Sequence, residues 1–202
     1  MADTGFNSPG ATSNVDRGGE KSWSNPNNAQ ASDNNRAIVN CDKEDFSDWL
    51  RCTTFGITIP NGATITGIEL TIERQEEATF HFINDSYIVL RKTAGQVGDN
   101  KASAAEWPWS DGTATYGGDG QMWGTTWSEA EIESNDFGVD ISIINTDNID
   151  SFEARIDHVQ IKVYYTEAGG GYPQDVGGVA TGNIASVGGV ATANIEKVGG
   201  VS

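Results

Sequence analysis

The sequence predicts an all-β protein: an antiparallel β-sandwich of jelly-roll-like type that carries a short repeat-containing β-type tail at its C-terminal end. Three observations point there. Apolar and polar residues alternate with period two, most clearly over Gly67–Gln75, where Ile68, Leu70 and Ile72 interleave with Glu69, Thr71 and Glu73. Segments of this kind are short, are separated by Gly-, Asn- and Asp-rich turns, and leave almost no room for helix. An eleven-residue unit then repeats near the end of the chain.

Taken in order, Met1 to Ser22 is rich in Gly, Ser and Asn, with Phe6 and Val15 its only sizeable apolar residues. It is expected to be an N-terminal arm, ordered only where it meets something else. The sandwich is expected over residues 23–166. Arg36–Asn40 and Trp49–Phe55 read as strands around an acidic loop. Cys41 and Cys52 could face each other across that hairpin, but two cysteines make no framework, so reduced packing thiols are expected. In Ile59-Pro60-Asn61-Gly62, Pro fixes φ and Asn-Gly accepts a positive φ, which signals a turn before the clearest strand. Ser86–Lys92 forms a further strand. Phe137, Val139, Ile141 and Ile143 alternate, and so do Val159, Ile161, Val163 and Tyr165. The alternation places Ile68, Leu70, Ile72, Val139, Ile141, Val159, Ile161 and Val163 inside. Ser128, with Glu131 three residues on, has capping-box spacing and predicts one helical turn through Glu129, Ala130 and Ile132.

Residues 167–202 differ in texture. A Gly169-Gly170-Gly171 linker leads into Val176–Ser186, Val187–Lys197 and a truncated Val198–Ser202. Paired glycines argue against helix, since each costs about 1 kcal/mol there. Short extended segments around Gly189–Thr192 and Asn194–Val198 are expected instead. The recurring apolar positions are Val176, Val179, Ile184, Val187, Val190, Ile195, Val198 and Val201. So few repeats cannot bury their own apolar face. The tail is therefore expected to order against other copies of the chain, as a homo-oligomer and specifically a trimer, or against a partner; a flexible linker is the alternative.

Composition narrows the function. The chain of 202 residues has a net charge of −17, spread as a coat over the sequence. Such a surface repels nucleic acid and anionic lipid, so neither is expected as a partner. The first residues hold no signal-peptide pattern and no apolar run is long enough to span a bilayer, so synthesis in the cytoplasm is expected. No Gly-x-Ser-x-Gly, His-x-x-x-His or Cys-x-x-Cys motif occurs, and no Gly-rich loop joins a strand to a helix. His81 lies between Phe80 and Phe82. His158, beside Asp157 on a strand, points away from it. Glu129, Glu131 and Glu133, or Asp45 and Asp48, are the carboxylate pairs a hydrolase could use. Asp147, Asn148 and Asp150, or Asp33 and Asn34, are the oxygen donors a Ca²⁺ site could use, though the spacing fits no Ca²⁺ loop. The expectation is no catalytic residue, no metal and no cofactor. The aromatic run Trp107, Trp109, Tyr116, Trp123 and Trp127 is the candidate surface for glycan or receptor contact. Packing of a long loop onto the sandwich, or a subunit interface, would use the same residues.

Certain stretches are similar to a module of tailed-bacteriophage and prophage virion structural proteins. They are Trp23–Ala29, Phe55–Ile68, Asn100-Lys101-Ala102, Tyr116-Gly117-Gly118, Met122–Trp127, Phe137-Gly138-Val139, Asp157-His158-Val159 and Val163–Thr166. The Asn-Ile-x-x-Val-Gly-Gly-Val pattern of the tail resembles short tails that end phage structural proteins. The resemblance implies a jelly-roll-like component of the virion, such as a capsid decoration protein, head fibre or tail-associated protein, with other virion proteins as partners. It implies no catalytic residue. Two readings follow: a non-enzymatic virion component assembled through its terminal segments, and a glycan- or receptor-binding sandwich.

Overall fold

A computed structural model describes residues 2–18, 21–77, 82–147 and 150–168, with the backbone of 186–187 and 190–191. The elements in chain order are β1 (Ala2–Asp3), β2 (Ala11–Val15), a 3-10 turn (Pro26–Ala29), β3 (Ala37–Cys41), β4 (Trp49–Thr53), β5 (Thr64–Glu76) and β6 (Ile83–Lys92). There follow β7 (Gly95–Gln96), β8 (Gly112–Gly118), α1 (Glu129–Ile132), β9 (Gly138–Asn145), β10 (Phe152–Thr166), β11 (Ser186–Val187) and β12 (Val190–Ala191).

Two antiparallel five-stranded sheets make the sandwich. The first runs β8-β5-β10, and β3 and β1 share the far edge of β10. β3 takes Phe152–Ile156 and β1 takes Tyr164 and Tyr165. The second runs β2-β4-β9-β6-β7. From β1 to β10 each strand lies in the sheet opposite its predecessor, except at the β6–β7 hairpin. That crossing habit is what makes the fold jelly-roll-like.

The predicted inward set is inward: Ile68, Leu70, Ile72, Val139, Ile141, Val159, Ile161 and Val163 are all fully buried. With Leu50, Ile88, Leu90 and Ile143 they form one core between the sheets. Each such side chain contributes on the order of 1.5–3 kcal/mol by leaving water. The turn ahead of β5 is as expected, with Ala63 N donating to Pro60 O at 3.0 Å and Gly62 at φ 77°. The capping box is also present: Ser128 Oγ accepts from Glu131 N, and Glu131 reaches back to Ser128 N at 2.8 Å.

Two expectations are corrected. The described part of Met1–Ser22 is not a separate arm, because β2 is the edge strand of the second sheet and β1 lies on β10. Its few apolar side chains hid this; main-chain pairing with β4 and β10 holds it, including Asn7 N to Ile161 O at 2.8 Å. The strands holding Cys41 and Cys52 are not a hairpin. β3 pairs with β10 and β4 lies between β2 and β9, so the two cysteines lie in opposite sheets, buried and not in a disulfide.

In the tail, Ser186–Val187 pairs antiparallel with Val190–Ala191 on either side of Gly188-Gly189. The remaining positions of the repeat, Val176, Val179, Ile184, Ile195, Val198 and Val201, lie outside the described residues.

Candidate functional site

Of the aromatic run offered as a candidate contact surface, most is interior, as packing of the loop onto the sandwich would have it. Trp107, Tyr116, Trp123 and Trp127 are 0, 6, 1 and 7% exposed, and only Trp109, at 59%, faces solvent. The four buried rings pack within the core, and each polar atom has found a partner there. Trp123 Nε1 donates to Ile68 O at 2.9 Å, and Trp127 Nε1 to Met122 O at 3.1 Å. Trp123 comes so close over β8 that a Cβ on Gly117 would stand 2.6 Å from its Nε1. Only glycine fits there, and Gly117 also holds φ at 72°.

Trp107 and Tyr116 belong to a buried polar network. Asp85 of β6 accepts from Trp107 Nε1 at 2.9 Å, from Tyr116 Oη at 2.7 Å, from Ser103 N at 3.0 Å, and from the guanidinium of Arg74 on β5. Arg74 stacks on the Trp107 ring with Cζ 4.7 Å from its centroid. Burial, with the Asp85 charge beside it, pushes the Tyr116 phenol far above its ordinary range. This network ties the two sheets together.

A second aromatic cluster lies on the outer face of the β2-β4-β9-β6-β7 sheet. Trp49 on β4, Ser142 on β9 and Tyr87 on β6 stand side by side, since Leu50 pairs with Ile141 and Tyr87 with Ser142. The small Ser142 lets the Trp49 and Tyr87 rings meet edge to face at 5.5 Å. Tyr87 reaches this face because of a bulge: Asp85 pairs with Ile143 and Tyr87 with Ser142, so Ser86 is the extra residue. The bulge turns Asp85 inward and Tyr87 outward although they are two residues apart.

Arg17 sits over the cluster. Its Cζ lies 4.7 Å from the Trp49 ring, 5.0 Å from Tyr87 and 5.4 Å from Phe46. Its Nη1 donates to Ser142 Oγ at 2.6 Å. Buried Asp48 takes the backbone N–H of Arg17 at 3.0 Å, and its other donors are Asn14 Nδ2 and Ser22 Oγ, both at 2.8 Å. The backbone of Arg17 is thereby fixed while its guanidinium keeps Nε and Nη2 without a hydrogen bond among the described residues. Alongside, Arg51 of β4 holds the fully buried Asp140 of β9 in a two-pronged pair at 2.8 and 3.0 Å, Gln96 adds a donor at 2.9 Å, and Arg91 of β6 lies 3.7 Å away.

Four cations in the described residues lie over aromatic rings, and they differ in one respect. Arg74 has Asp85, Lys92 over Trp127 has Glu131 at 2.8 Å, and Lys162 over Phe6 and Tyr164 has Glu69 at 3.3 Å. Arg17 alone has no carboxylate within ion-pair reach among the described residues.

The other candidates are engaged in holding the fold. Glu129 and Glu133 accept backbone N–H groups of Gly62 and Ile59, at 3.1 and 2.9 Å. Asp45 accepts from Phe46 N at 2.9 Å, and Glu131 serves the capping box and Lys92. Asp157 takes the N–H groups of Asp33 and Asn34, while His158 Nε2 meets Ser8 Oγ at 2.7 Å, so the two form no dyad. Asp33 serves Asn35, and Asp147 accepts from Asp150 N at 2.6 Å; no metal-like group of three or more His, Cys, Asp or Glu occurs among the described residues. His81 and Asn148 lie outside them.

No protein-family model and no curated protein matches the chain. A solved structure described as "CBM4 structure and function" aligns with 79% of this chain and 95% of its own, at 10% identity and a TM-score of 0.38. A likeness that loose decides nothing about function.

Proposed function

We propose that the protein is a non-catalytic glycan-binding β-sandwich whose contact surface is the outer face of the β2-β4-β9-β6-β7 sheet. The observation that carries this reading is the platform of Trp49, Tyr87 and Phe46 under the Arg17 guanidinium, which has no carboxylate partner among the described residues. Sugar recognition needs flat apolar faces beside fixed polar donors, and this face offers Trp49 and Tyr87 on paired strands, with Arg17 just past the end of β2. Tyr87, 40% exposed, is the ring most open to a sugar. Arg17 supplies hydrogen-bond donors beside it.

The test is calorimetric titration of the intact protein with a panel of oligosaccharides, repeated on Tyr87→Ala, Trp49→Ala and Trp109→Ala. Loss of binding in the first two, with Trp109→Ala unchanged, supports this face. Binding that depends on Trp109 alone would move the site to the loop before β8. Absence of binding to every sugar at millimolar concentration would remove the proposal.

The repeats favour a second reading that is compatible with the first: a virion structural component assembled as a homo-oligomer, a trimer in our reading, with other virion proteins as partners. What supports it is the pairing of Ser186–Val187 with Val190–Ala191 across a Gly-Gly step, which gives a segment suited to adding strands to a neighbour. Deleting residues 169–202 should leave a cooperatively melting domain that no longer oligomerises. A truncated chain that still oligomerises would place the anchor elsewhere.

A further inference from the structure

We infer that the sugar bound on this face carries a carboxylate, as a uronic or sialic acid does, and that Arg17 is the residue that reads it. The inference rests on the proposed glycan-binding face and goes further by naming the ligand class.

The charge distribution is the first reason. The chain carries 29 acidic against 12 Lys and Arg residues, yet three of those cations, Arg17, Arg51 and Arg91, share this one sheet face. The carboxylate paired with them on its strands is Asp140, which is fully buried and engaged by Arg51 and Gln96. Asp48, near the backbone of Arg17, is satisfied by three neutral donors. The opposite outer face shows what a balanced arrangement looks like: there Glu69 sits between Lys162 and Tyr164. A positive patch on a protein of net charge −17 requires a reason, and an anionic ligand group supplies one.

The geometry is the second. A guanidinium presents its donors in a planar fork that matches a carboxylate in two-pronged fashion. Arg17 spends Nη1 on Ser142 and leaves Nε and Nη2, the pair on one edge of the fork, for a ligand. Stacking on Trp49, Tyr87 and Phe46 and the Asp48 clamp on its backbone hold that fork in place before binding. Such preorganisation lowers the ordering cost of the contact.

The experiment compares a short oligosaccharide bearing a single uronic acid with the same oligosaccharide after reduction of its carboxyl to the alcohol. One charge per ligand keeps repulsion by the acidic coat small. The acidic sugar should bind about 10- to 100-fold tighter, the range a charge-assisted hydrogen-bond pair supplies. Arg17→Gln should erase that difference by weakening the acidic sugar alone, and Arg17→Lys should restore only part of it. Tyr87→Ala should weaken both sugars. Thermal melting of each variant checks that it is folded, and the comparison of the two sugars on the unaltered protein stands without any variant. Equal or tighter binding of the reduced sugar would overturn the carboxylate inference and leave the glycan-binding reading intact. Failure of both sugars, and of neutral and sialylated oligosaccharides, would overturn the two together.

Discussion

Two arginines in this molecule are built into aromatic surroundings, and their fates differ. Arg74 lies in the interior, stacked on Trp107 and facing Asp85. Arg17 lies on the outer face of the second sheet, over Trp49, Tyr87 and Phe46, and faces no carboxylate of the described chain. The bulge at Ser86 shapes both settings, since it sends Asp85 in to Arg74 and Tyr87 out to Arg17. Low dielectric makes an unpaired interior charge intolerable, so the fold itself must provide the counter-charge. At the surface water tolerates the unpaired charge, and the missing partner can come from a ligand. The same residue types are thus structural in one place and available in the other.

The comparison breaks most visibly at Asp85. Asp85→Ala should cost about 3–5 kcal/mol, because it strands a buried guanidinium and three further donors. Chemical denaturation measures the loss, and the residual folded protein should bind sugar as before. Arg17→Gln, by contrast, should change stability by no more than about 1 kcal/mol while changing sugar selectivity, since a half-exposed cation–π contact is worth only about that much.

Alkaline pH sharpens the contrast without mutation. Burial raises the Tyr116 phenol and the Cys52 thiol above their ordinary values of 10.0 and 9.0. Both groups stay protonated in the folded state and ionise on unfolding. Their contribution to stability is therefore complete below about pH 9 and is lost progressively as pH rises beyond it. Melting temperatures recorded from pH 7 upward should fall above pH 9; a flat profile to pH 11 would count against the buried network. The smallest effect is chemical. Cys41 and Cys52, both fully buried, should not react with a thiol reagent in the native protein and should both react once it is unfolded.

Much of this architecture was legible from period-two alternation. Where one sheet face meets the core, the pattern of Ile68, Leu70 and Ile72 has a single reading, and the inward set followed from it. β2 and β8 were not legible, since Ala11–Val15 and Gly112–Gly118 carry few large apolar residues and are held by main-chain pairing. The site was half visible. Trp49, Arg51 and Thr53 fall on the outward phase of a strand whose Leu50 and Cys52 face in, and an outward Trp beside an outward Arg is a surface signal. Tyr87 could not be read, because the Ser86 bulge shifts its phase. The Trp107–Trp127 run left contact surface and packing both open, because a cluster of aromatics in a Gly- and Asp-rich stretch has the same composition whether the rings cover the core or face water. Which of these holds depends on acceptors such as Ile68 O and Asp85, which are distant in sequence.

The central claim, that the outer sheet face around Trp49 and Arg17 binds the ligand, is tested most directly by the indole N–H signals of the six tryptophans in a two-dimensional ¹⁵N NMR spectrum. On titration with the acidic oligosaccharide, the Trp49 signal should shift, together with the Arg17 Nε–H, while Trp23, Trp107, Trp109, Trp123 and Trp127 hold their positions. A Trp109 signal that moves while Trp49 stays still would contradict the account.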